Sequence, residues 1–133
     1  MEIEAGVAKQ NEERDDVFWQ RFSVPFQYPV AFVRGLFDPA KTLFADVVTR
    51  DETDKRHRCF FIIDEGLAHL GLDKIIGTYF DTHSDRLEMI GIPMQVPGGE
   101  TVKKDLAHVE SMQNAIHTRA IDRHSYVIAI GGG

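Results

Sequence analysis

The sequence predicts an α/β fold: a mainly parallel sheet with helices on both faces, preceded by an N-terminal strand pair. Three observations lead there. Cys59 to Ile63 is a short, unbroken apolar run, the pattern of a strand buried on both faces, and Tyr126 to Ile130 is a second apolar run that reads as a strand. Apolar stripes at helical spacing lie between them. Strand and helix patterns then alternate along the chain, as the connections between parallel strands require.

The elements follow in order. Residues 1–16 are polar and acidic and read as a flexible leader, and 17–133 read as the domain itself. No apolar stretch follows a basic start, which excludes a secretory signal there. Phe22, Val24 and Phe26 alternate with polar or turn residues, and Tyr28 to Val33 follows after a short break, predicting two paired strands. Pro25 and Pro29 restrict these strands to ends or an edge. Phe18, Trp19 and Phe22 are expected to pack in the core. Asp38-Pro39 reads as an N-cap with proline in the first turn, opening a helix through Ala40, Leu43, Phe44, Val47 and Val48. Asp51 to Arg58 is charged and connects to the strand Cys59 to Ile63, which Asp64-Glu65-Gly66 ends. Leu67 to Leu70 makes one helical turn, and Leu72, Ile75, Ile76, Tyr79 and Phe80 form a second helical stripe. Pro93 confines the next regular strand to Met94 to Val96. After the turn Pro97-Gly98-Gly99, Val102, Leu106, Val109, Met112 and Ile116 share one helical face. Tyr126 to Ile130 is the last strand, and Gly131 to Gly133 follow it.

Composition narrows the function. The chain has 133 residues, 15 Lys plus Arg against 21 Asp plus Glu, and a formal charge of −6. An acidic chain without a basic block is a poor partner for nucleic acid or an anionic membrane. No apolar run approaches the roughly 20 residues that a membrane-spanning helix needs. The single cysteine, Cys59, excludes an internal disulfide and a CxxC metal site, and it fits a reducing cytoplasm. It reads as a small buried hydrophobe. The six histidines show no HxxxH or HExxH spacing. His108 and His117 fall off the apolar stripe of the long helix, and His57, His69, His83 and His124 fall in loops or turns.

Ligands of open parallel sheets bind beyond the carboxyl ends of the strands. Three such ends are marked: Asp64, then Gly98, Gly99, Glu100 and Lys103, then Gly131, Gly132 and Gly133. Glycines after a strand let backbone N–H groups approach a pyrophosphate. A carboxylate at a strand end accepts hydrogen bonds from a ribose and repels a 2′-phosphate, which favours NAD over NADP. Glu100 and Lys103 share a face of the first helical turn. Each feature also has a plainer reading: a tight turn for the glycines, a helix cap for Asp64, a surface ion pair for Glu100 and Lys103. Spacing alone supports a nucleotide-binding α/β domain.

Taken together, the segments resemble a known family. Val96-Pro97-Gly98-Gly99-Glu100-Thr101-Val102-Lys103 resembles the PGE/GGExxK segment of dehydroquinate-synthase-like sugar phosphate cyclases. Ile121 to Gly133 resembles the strand and glycine turn before that family's GGGxxxD helix. Ile62-Ile63-Asp64-Glu65 resembles its strand ending in Asp-Asp/Glu, and Phe22 to Asp38, with Arg34-Gly35-Leu36, resembles its opening hairpin. The likeness covers about Trp19 to Gly133 and is closest to the branch found in bacterial Ebo-type gene clusters. Gly66 departs from the polar residue many relatives carry.

The resemblance implies a partial Rossmann-like NAD-binding domain at the front of a longer, cytoplasmic, commonly homodimeric enzyme. Such enzymes act on a sugar phosphate through transient oxidation, phosphate elimination, re-reduction and aldol closure. They use NAD and a divalent metal, zinc or cobalt. By carry-over, Asp64 contacts the adenosine ribose, Glu100 and Lys103 lie near the nicotinamide ribose, and Gly131 to Gly133, with Gly98 and Gly99, line the cofactor. The family's metal ligands and catalytic residues come from a later part of the chain, so this sequence is expected to hold neither and to be inactive alone. Two other readings stand beside this one: a part of an iron- or zinc-dependent glycerol or alcohol dehydrogenase, and a non-catalytic truncated binding module.

Overall fold

A computed structural model describes residues 16–99 and 105–132. The chain divides into two units between Ala31 and Phe32.

In the first unit, the described residues 16–31 form no strand. The strand pair expected from Phe22 to Val33 is therefore absent, and Phe18, Trp19 and Phe22 expose their rings instead of joining a core. The alternation is real, but it reports an apolar face and not a partner strand, and Pro25 and Pro29 deny one edge of the segment two ladder donors.

The second unit is α/β. Its elements are α1 (Leu43–Thr49), β1 (His57–Asp64), a 3-10 helix (Glu65–Leu70), α2 (Leu72–Thr82), β2 (Leu87–Met89), β3 (Met94–Val96), α3 (Leu106–Thr118) and β4 (Tyr126–Ile130). Every strand pairing among the described residues is parallel and involves β1. β4 runs along Cys59 to Ile63 of β1. β2 meets β1 at His57 to Cys59, and β3 meets it at Ile62 to Asp64. A strand has two edges, so β2 and β3 lie end to end on the edge away from β4. They act as one interrupted strand. His57 pairs with Leu87 but Ile62 pairs with Met94, so the β2–β3 side carries two extra residues between the paired stretches. Gly91, with φ of 64°, and Pro93 sit in that interruption. The expectation that regular strand begins only at Met94 missed β2, because a three-residue strand ahead of a glycine and a proline carries almost no pattern.

The core lies on one face of β1. Cys59, Phe61 and Ile63 point there by the two-residue period of a strand. They pack with Phe44, Ala45 and Val48 of α1 and Ile76, Tyr79 and Phe80 of α2. Phe37, Phe44, Phe61, Tyr79 and Phe80 form an aromatic cluster with centroid distances from 5.1 to 6.4 Å, mostly tilted or edge-on. Tyr126, Ile128 and Ile130 of β4 join its margin.

α1 starts at Leu43, not at the expected Asp38-Pro39 cap. Asp38 Oδ1 instead accepts from Ala40 N at 3.0 Å, and two turns precede the helix. Thr42 at the N-cap accepts no side-chain cap bond from the first turn. One open N–H of the first turn, that of Ala45, donates to Tyr79 Oη at 3.3 Å across to α2. Arg86 Nη2 ties α1 to the start of β2, donating to Asp46 Oδ1 at 2.8 Å and Thr49 Oγ1 at 2.7 Å.

His57 is no loop residue. It opens β1 and is buried, with Nε2 2.8 Å from the Glu52 carbonyl oxygen. His69 sits in the 3-10 helix and His83 at the end of α2. The stripe expected on α3 is also corrected. None of its described residues is buried, and Leu106 and Val109 are exposed. Val102 lies outside the described residues. The end of α3 reaches the second face of the sheet through Arg119, whose guanidinium stacks 4.6 Å over Phe60.

Candidate functional site

The site begins with what a parallel sheet does to its strand ends. Because β1, β3 and β4 run in one direction, their carboxyl ends meet at one edge. Asp64 pairs with Val96 of β3, and its neighbour Ile63 pairs with Ile130 of β4. The turn beginning at Pro97 and the glycines beginning at Gly131 therefore flank Asp64 on either side.

Asp64 itself leaves the strand in an extended conformation and caps the 3-10 helix. Its Oδ1 accepts from Gly66 N at 2.8 Å. The plainer reading of this residue as a helix cap is thus present in the structure, and it leaves the carboxylate half-exposed at the sheet edge. Gly98 presses directly against that carboxylate: a Cβ placed on Gly98 would lie 2.1 Å from Asp64 Oδ2. Gly99 has φ of 89°, a region that favours glycine. Both glycines of the Pro97-Gly98-Gly99 turn thus have a reason within the fold itself.

Gly131 and Gly132 differ. Both are exposed, and a Cβ on either would meet nothing within 4 Å. Their backbone borders open space beside Asp64. Glu100, Lys103 and Gly133 lie outside the described residues.

One feature of this edge has no signal in the sequence. A groove of about 350 Å³ opens between Ile63, the 3-10 helix at Leu67 and Ala68, and the start of α2. Asp73 and Gln95 close one side, with Gln95 Nε2 donating to Asp73 Oδ1 at 3.2 Å. No motif announces this pair. It arises because β3 places Gln95 beside Ile63 while Gly71, with φ of 63°, turns the chain into α2.

Among the described residues, this edge carries hydrogen-bond acceptors and one cation. Asp64, Glu65 and Asp73 supply acceptors, and Lys74 a single cation at the groove. Cys59 is deep in the core, where burial pushes its thiol up to about 12, so it is no nucleophile. Among the described residues, no group of three or more His, Cys, Asp or Glu side chains is placed to hold a metal ion. Among the same residues, no helix is long and apolar enough to cross a membrane. No family model matches the chain, and no curated protein matches it.

Proposed function

We propose that this chain is the N-terminal, NAD-binding part of a 3-dehydroquinate-synthase-like sugar phosphate cyclase and is inactive alone. One observation carries the reading: Asp64 ends the central parallel strand between two glycine turns, in register with both. That is where nucleotides bind in sheets of this kind. The sequence likeness at Ile62 to Glu65, Val96 to Lys103 and Ile121 to Gly133 adds the family.

The described residues fit a dinucleotide unequally. Gly131 and Gly132 offer bare backbone facing open space, which suits a pyrophosphate. Asp64 offers a half-exposed carboxylate to a ribose hydroxyl. Gly98 is filled by Asp64 and contributes by fixing that carboxylate. In this reading NAD supplies reversible oxidation of a substrate hydroxyl, while the chain's own residues bind and orient it. Glu100 and Lys103 are assigned to the nicotinamide ribose by resemblance alone. Among the described residues, no cluster of side chains fits the family's divalent metal.

Amide NMR of the ¹⁵N-labelled chain tests the cofactor. NAD⁺ should shift Asp64, Gly66, Gly131 and Gly132, with affinity weaker than micromolar. NADP⁺ should bind about tenfold more weakly, as like-charge repulsion worth about 1.4 kcal/mol predicts. Asp64→Asn should abolish that preference. Shifts confined to other surfaces, or equal response to both nucleotides, would reject the assignment.

A further inference from the structure

We draw no further inference here: the strongest candidate, the groove between the carboxyl end of β1, the 3-10 helix and the start of α2, belongs to the candidate site already described, and its apolar walls, the uncapped N-terminus of α2 and the exposed Asp73–Gln95 bond do not identify an occupant.

Discussion

The carboxylate of Asp64 occupies the space that any side chain on Gly98 would need. A Cβ on Gly98 would fall 2.1 Å from Asp64 Oδ2 and 2.5 Å from its Cγ, far inside contact distance. Gly98→Ala must therefore displace either the β3–α3 connection or the acid. We expect a loss of about 1–3 kcal/mol, the usual cost of overpacking. Asp64→Ala alone costs about 1 kcal/mol through the lost cap on Gly66. In the Asp64→Ala background, Gly98→Ala should cost less than about 0.5 kcal/mol, because the clash is gone. Urea melts of the four chains measure this coupling, and additive losses would count against it.

Tyr79 joins the two helices on the core face. It is fully buried, its ring contacts those of Phe37, Phe44 and Phe80, and its hydroxyl accepts from Ala45 N at 3.3 Å. Tyr79→Phe keeps the ring and strands a buried N–H in the first turn of α1. The expected loss is about 1–3 kcal/mol, with faster hydrogen exchange at Ala45. Tyr79→Leu should cost more, since it also opens the aromatic cluster. Equal stability of wild type and Tyr79→Phe would show that the bond contributes nothing net.

Cys59 sets an alkaline limit on stability. Burial raises its thiol from 9.0 to about 12. A group raised in the folded state stabilises fully below its unfolded value, and that contribution is lost as pH climbs through the folded one. The window is therefore about pH 9 to 12. Within it, stability should fall by up to about 1.4 kcal/mol per pH unit from this group. Burial raises Tyr79 as well and adds a loss of the same sign. Cys59→Ala should flatten the Cys59 part of the slope between pH 8 and 10.5. A thiol reagent at pH 8 should label native Cys59 only at the rate of unfolding. Immediate labelling would contradict the burial.

What the sequence made legible tracks the size of each pattern. β1 was readable because Cys59 to Ile63 is an unbroken apolar run bounded by charged residues, and β4 because Tyr126 to Ile130 repeats that run, although its second face, at Val127 and Ala129, is exposed. α2 was readable because its stripe is long and truly buried at Ile76, Tyr79 and Phe80. The placement of Asp64, Gly98 and Gly131 at one edge followed from strand order alone, since parallel strands align their ends. The unreadable parts depend on tertiary contacts. The Ala45 N–H of α1 is held by Tyr79, 34 residues away, so the helix does not need the Asp38 cap that local rules favour. β2 exists because β1 offers it an edge. Residues 22–33 read as a hairpin because alternation reports an extended face, while it says nothing about which strand will share the edge.

Arg119 is the last such contact, and it braces the break between β2 and β3. Its Nη1 donates to the carbonyl oxygens of Ile92 at 2.7 Å and Ile90 at 3.5 Å, while the guanidinium covers Phe60. These carbonyls flank Gly91, where the two extra residues interrupt the ladder. Removing the guanidinium frees the interruption and uncovers the second face of β1 together. Arg119→Met keeps much of the apolar cover but loses both bonds and the cation–π contact. We expect a loss of about 1.5–3 kcal/mol, the range for hydrogen bonds from a charged donor. Arg119→Lys should recover only part of it, because an ammonium lacks the planar guanidinium face that lies over Phe60. Hydrogen exchange locates the effect. Amides from Ile90 to Gln95 should exchange faster in both variants, while those of α2, on the opposite face, should follow only the global change. Faster exchange throughout the chain, with no excess at the interruption, would mean that Arg119 stabilises by packing alone.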